Sequence, residues 1–137
     1  MRILFPFRVA PSGEGALRYL IEAHGTDERV TVTAINFTDD PSDQPADIAA
    51  HEIVSKGAKQ AFEIESVVER LPKLSKSNVR NGIVKEATDR NVDLVVLGHG
   101  LSSLFDRATG RRVEDRLLNE CGVPVTLVPE PGSSSQE

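Results

Sequence analysis

Two hydrophobic periods alternate along this chain. Ile3-Leu4-Phe5-Pro6-Phe7 is a short unbroken apolar run, the pattern of a parallel strand buried on both faces, with Pro6 marking an irregularity near its end. After Ser12, a suitable N-cap with Glu14 in the first turn, apolar residues return at helical spacing as Ala16, Leu17, Leu20 and Ile21, until Gly25 ends the pattern. Val30-Thr31-Val32-Thr33-Ala34-Ile35-Asn36-Phe37 is rich in β-branched residues and reads as a second strand. Thr38-Asp39-Asp40-Pro41-Ser42-Asp43 then has the composition of a turn. Pro45 suits a first helical position and Asp47 a first turn, which predicts a helix to about Lys59 with Gly57 as its weak point.

The pattern continues past the midpoint. Phe62-Glu63-Ile64-Glu65-Ser66-Val67-Val68 alternates in part, as an edge strand does. Ser75 or Ser77 starts a helix whose apolar stripe is Val79, Ile83, Val84 and Ala87, closed by Asn91. Val92-Asp93-Leu94-Val95-Val96-Leu97 is a strand running into Gly98-His99-Gly100, and Gly110 opens a further helix with Val113, Leu117, Leu118 and Cys121 on its core face. Gly122 terminates that helix, and Val123-Pro124-Val125-Thr126-Leu127-Val128 is the last strand. Five strands alternating with four helices predict an α/β fold, a parallel sheet with helices on both faces. One domain over residues 1–129 is expected, followed by a tail, 130–137, whose Gly132-Ser133-Ser134-Ser135 composition reads as disordered.

Composition narrows the function classes. A chain of 137 residues with 39% hydrophobic content can bury an ordinary core without disulfides or metal, and its one cysteine, Cys121, has no intrachain partner. A net charge of −5 argues against a general nucleic-acid binder, which would carry a basic face. No apolar run approaches the roughly 20 residues of a membrane span, so no membrane partner is expected. The first residues lack a charged-then-apolar signal pattern, and a cytoplasmic location is the expectation.

The candidate chemistry lies after the fourth strand. A strand, a glycine loop and a helix start in sequence aim backbone amides at an anion, because glycine lets a ligand approach and a helix start leaves N–H groups unpaired at the positive end of the dipole. In open α/β sheets ligands sit beyond the carboxyl ends of the strands, so Arg8 after the first strand and Gly98, Gly100 and Gly110 after the fourth would face one crevice. His24, His51 and His99 have no metal-ligand spacing, Ser102 and Ser103 lack a nucleophile-elbow pattern, and Cys121 has no basic neighbour in sequence. No catalytic set or metal site emerges.

These residues resemble the universal stress protein family, whose hallmark is a glycine, two residues, a glycine, nine residues, then glycine with serine or threonine. Gly100 and Gly110 keep the nine-residue spacing, and Asp93-Leu94-Val95-Val96-Leu97-Gly98-His99-Gly100, Glu114 and Pro124-Val125 extend the likeness over nearly the whole chain. The resemblance implies a Rossmann-like sheet of five parallel strands in the order 3-2-1-4-5. It also implies a homodimer joined through the last strand, Val123 to Val128, and in many members ATP held by the glycine loop. Three positions differ from the ATP-binding pattern: Gly98 and Gly100 have one residue between them, Arg111 stands where Ser or Thr is expected, and Arg8 stands where relatives carry an aspartate.

An arginine brings a permanent charge and a fork of donors where a hydroxyl offers one neutral bond. On the functional reading, Gly98, Gly100 and Gly110 supply amides, Arg111 charge and Arg8 a contact across the crevice. Val9 and Phe37 then form the base or ribose environment, with His99 and Arg112 beside the anion. On the bland reading the glycines only turn the chain, and the arginines pair with Asp106, Glu114 or Asp115. The expected function is a non-enzymatic, cytoplasmic stress-response homodimer that binds an adenine nucleotide such as ATP or a related anion. The alternative is a nucleotide-free member acting only through protein contacts.

Overall fold

The computed structural model describes residues 1–7, 12–40, 44–97, 114–118 and 122–128. In chain order the elements are β1 (Arg2–Phe7), α1 (Ser12–His24), β2 (Thr31–Thr38), α2 (Gln44–Gly57), β3 (Glu63–Arg70), α3 (Lys76–Asp89), β4 (Leu94–Leu97), β5 (Glu114–Leu118) and β6 (Val123–Leu127). They form one sheet in the order β3-β2-β1-β4-β6-β5. Five of these strands are mutually parallel, and in that subset the order is the expected 3-2-1-4-5, with β6 as the fifth.

Side-chain alternation along the strands sends successive residues to opposite faces, and each face is covered by helix. On one face Ile3, Phe5 and Phe7 of β1 pack with Val32 and Ala34 of β2, under Ala16, Leu17 and Leu20 of α1 and Ile53 of α2. On the other, Leu4, Ile35, Phe37, Val95, Leu97 and Val125 meet Val79, Ile83 and Ala87 of α3. The helical stripes read from the sequence are therefore the faces that bury. Ser75 caps α3, accepting the Asn78 amide on its hydroxyl at 3.0 Å, and at the far end Asn91 takes the left-handed conformation, φ 57°, beyond the cap residue Arg90. The expected weak point, Gly57, is the last residue of α2. It is buried, and a Cβ there would lie 2.9 Å from two carbons of Ile64, so the glycine lets the helix end rest on β3.

One expectation is overturned. The spacing of Val113, Leu117, Leu118 and Cys121 predicts a helix between Gly110 and Gly122, yet Glu114–Leu118 is extended and pairs antiparallel with β6, from Glu114 opposite Leu127 to Leu118 opposite Val123. Gly122, at φ 70°, serves either outcome, because a left-handed glycine ends a helix or closes a hairpin equally well. The choice is made by the outer edge of β6, whose backbone groups lack a partner unless another strand is laid against them. The last strand is consequently not the sheet edge that its terminal position suggests.

Candidate functional site

All parallel strands end on the same side, so the carboxyl ends of β1, β2 and β4 share one rim. The register places Phe7 beside Asn36 and Leu4 beside Val95, bringing the ends of these three strands level. At the β2–β3 part of the rim the chain closes on itself. The Asp40 amide donates to the Thr38 hydroxyl at 3.1 Å, the Leu71 amide to the Thr38 carbonyl at 2.8 Å, and the Leu74 amide to the Asp39 carboxylate at 3.3 Å.

The β1–β2 part differs. Asn36 is 3% exposed, and its Nδ2 is the one buried side-chain polar atom without a hydrogen-bond partner among the described residues. An unsatisfied buried amide costs about 1–3 kcal/mol, so the position retains a donor that the fold itself does not use. By alternation Asn36 falls on the face of Val32 and Ala34, while Phe37 turns to the α3 face. There the Phe37 ring lies against Gly82, where a Cβ would stand 2.7 Å from Cε1, and α3 can approach the ring only because residue 82 is glycine.

Of the site residues expected from sequence, Phe37 alone is described: it is 8% exposed, packed against the α3 layer. Arg8, Val9, Gly98, His99, Gly100, Gly110, Arg111 and Arg112 lie outside the described residues. Asn36 and Gly82 were not singled out by sequence reasoning. The signal for Asn36 was available, since asparagine is depleted in strands and here interrupts a β-branched run. Gly82 carried none, as a glycine within a helical pattern does not reveal what packs on it.

The opposite rim holds a cavity of about 240 Å³ lined by Arg2, Thr31, Thr33, Glu65, Arg90 and Val92. Its charges answer one another. Arg90 Nε donates to Glu86 at 2.8 Å, with NH1 3.9 Å from Glu65, Thr33 donates to Glu65 at 3.4 Å, and Arg2 donates to the Arg90 carbonyl at 3.2 Å. Glu86, 9% exposed on the α3 stripe, pairs with Arg90 within the helix end, and it is the Arg90 contact with Glu65 and the Arg2 bond to the Arg90 carbonyl that tie this end to the sheet. Among the described residues no group of His, Cys, Asp and Glu is placed to hold a metal ion, and no helix is long and apolar enough to cross a membrane.

A parallel sheet in the order 3-2-1-4-5 with helices on both faces defines a Rossmann-like α/β protein, the class whose ligands bind at the carboxyl rim. The model of the universal stress protein family matches residues 1–129, and the chain belongs to that family. Among solved structures, the chain is similar to a universal stress protein family member from Burkholderia pseudomallei. The TM-score is 0.67 at 14% identity, covering 94% of this chain and 96% of that one. It is also similar to a universal stress protein from Archaeoglobus fulgidus, with a TM-score of 0.60 at 14% identity and 93% of each chain covered. These likenesses establish the shared fold. No curated protein matches the chain.

Proposed function

We propose that this chain is a non-enzymatic cytoplasmic regulator that binds an adenine nucleotide or related anion at the carboxyl rim and acts as a homodimer through its last strand. The observation that carries the ligand reading is the unpartnered Asn36 amide, beside Phe7 in register and next to Phe37 in sequence. A nucleobase or ribose offers the acceptor this donor lacks, while Phe37, turned to the α3 face, holds the end of β2 from behind. Gly98, Gly100 and Gly110 would give backbone amides to the phosphates, and Arg8, His99, Arg111 and Arg112 charge and side-chain donors, neutralising phosphate without a metal carboxylate. A binding output is favoured over turnover because no general base or metal-binding carboxylate is recognisable among these residues.

Calorimetric titration of ATP into the wild type and Asn36→Leu, with and without Mg²⁺, tests this. The wild type should bind with little Mg²⁺ dependence and with affinity that falls as salt rises. Asn36→Leu should weaken binding about tenfold, one hydrogen bond's worth, while leaving thermal stability unchanged or higher. If the wild type binds nothing and Arg8→Asp with Arg111→Ser creates binding, the arginines fill the pocket and the chain works through protein contacts alone. Turnover of about 1 s⁻¹ or faster, abolished by mutating the glycine loop, would overturn the non-enzymatic reading.

A further inference from the structure

The cavity of about 240 Å³ at the amino ends of the strands has a buried floor and an open mouth. Thr33 and Val92 are 7% and 8% exposed, whereas the side chain of Glu65 is 61% exposed and that of Arg90 32%. Arg2 adds the start of β1 to the wall. Three parts of the fold meet there: β1, the β2–β3 pair in which Thr33 stands beside Glu65 in register, and the chain leaving α3.

The charges around this cavity answer one another incompletely. Among the described residues the Arg90 guanidinium hydrogen-bonds only through Nε, to Glu86 at 2.8 Å, and its terminal N–H groups are left over. Arg2 gives a guanidinium N–H to the Arg90 carbonyl at 3.2 Å, and its side chain meets no carboxylate among the described residues. Glu65 has only long contacts, 3.4 Å from the Thr33 hydroxyl and 3.9 Å from Arg90 NH1. Good charge-assisted hydrogen bonds are about 2.7–2.9 Å long, so this carboxylate keeps accepting capacity.

Unused donors and an underused acceptor of opposite charge therefore face one cavity, and this selects ligands by sign. Counting Asp93, whose carboxylate accepts the Arg2 backbone amide at 2.8 Å, and Glu86 and Glu65, three carboxylates adjoin two guanidiniums. A simple anion finds no excess of positive charge there. A simple cation on Glu65 meets the spare N–H groups of Arg90. A ligand that carries both signs a few ångströms apart satisfies each end and sets no like charges face to face.

The geometry points to a second binding site, for a small zwitterion of the α-amino acid kind. Its carboxylate takes the spare N–H groups of Arg2 and Arg90, its ammonium donates to Glu65, and its side chain lies against Val92. Bound there, it reinforces the tie between the end of α3 and β3, now spanned by the 3.9 Å contact of Arg90 with Glu65. The site shares no residue with the carboxyl rim, so it stands or falls independently of the nucleotide reading.

NMR titration of the full chain with L-valine tests this, because valine adds to the zwitterionic head an apolar group suited to Val92. Isovalerate, which lacks the ammonium, and isobutylamine, which lacks the carboxylate, are the companion probes. Valine should shift the amides of Thr33, Glu65 and Val92 with a Kd of about 1–10 mM, and should bind at least about tenfold more tightly than either companion. At about ten times its Kd it should raise the thermal midpoint by about 3–5 °C. Glu65→Gln, at an exposed position, should weaken valine about tenfold and make isovalerate its equal. Arg2→Gln should do the converse, bringing isobutylamine level with valine. If neither L-valine nor glycine shifts these amides at about 100 mM, the site does not exist as proposed. Equal binding of all three probes, or indifference of the probe order to both variants, also overturns it, because the cavity then reads no charge. Failure of ATP to bind at the carboxyl rim alters none of these outcomes.

Discussion

The sheet is built by different rules on the two sides of β1. Towards β3, each strand leads into a helix that returns across the sheet, and the registers are long: six pairs between β1 and β2 and eight between β2 and β3. Towards β5, β4 has four residues and pairs with β6 over three positions, and the outermost strand arrives from the opposite direction by a hairpin. The first side is assembled from elements whose own patterns already fix what they bury. On the second, the demand of an open edge outweighs the local preference of the segment that satisfies it.

The broadest way to break this comparison is amide hydrogen exchange. Amides of β1 and β2 should exchange only through global opening, while those of Glu114–Leu118 should exchange at least about a hundredfold faster through local release. Equal protection on both sides would mean that β5 is as firmly built as the crossovers. Next in size is Leu20→Ala, which empties a fully buried position of α1 under the first side and should cost about 2–5 kcal/mol in urea unfolding. A loss below about 1 kcal/mol would show that this helix layer does not set stability.

Arg90→Ala leaves Glu86, 9% exposed, without its partner at 2.8 Å and should cost about 1–3 kcal/mol, recovered in part by adding Glu86→Gln. Failure of the second change to recover stability would show that the cost does not come from the unpaired Glu86 carboxylate. Ser75→Ala removes the hydroxyl that accepts the Asn78 amide, for about 1 kcal/mol, with the loss confined to α3 in exchange measurements. The smallest effect concerns pH. The Arg29 backbone amide, at 2.9 Å, and then the Arg29 guanidinium hold the Asp27 carboxyl below its ordinary value. The stability this adds is complete above the ordinary carboxylate value and fades as pH falls through the lowered one. Asp27→Asn should therefore lose slightly more stability at neutral pH than in acid. A loss independent of pH would remove the charge from the account.

The strands whose carboxyl ends form the rim were legible in the sequence, while of the expected site residues only Phe37 is among those described. Phe37 stands in the strand and near the rim assigned to it, because a parallel α/β pattern fixes which strand ends point the same way. Asn36 and Gly82 were not picked out, since one is defined by a missing partner and the other by a ring packed against it. Neither property belongs to a residue read in one dimension.

The sequence by itself determined the five parallel strands, the helical stripes of α1 and α3, a cap at Ser75 or Ser77, of which the structure uses Ser75, and the family through Gly100, Gly110 and the strand before them. These depend on periodicity, caps and short motifs, which act within a few residues of each other. Only the tertiary structure decided that Glu114–Leu118 pairs with β6, that Arg90 at the end of α3 meets Glu65 of β3, and that the Asn36 amide is left without a partner. Each of these depends on which distant backbone or side chain comes alongside, and that is settled when the sheet assembles.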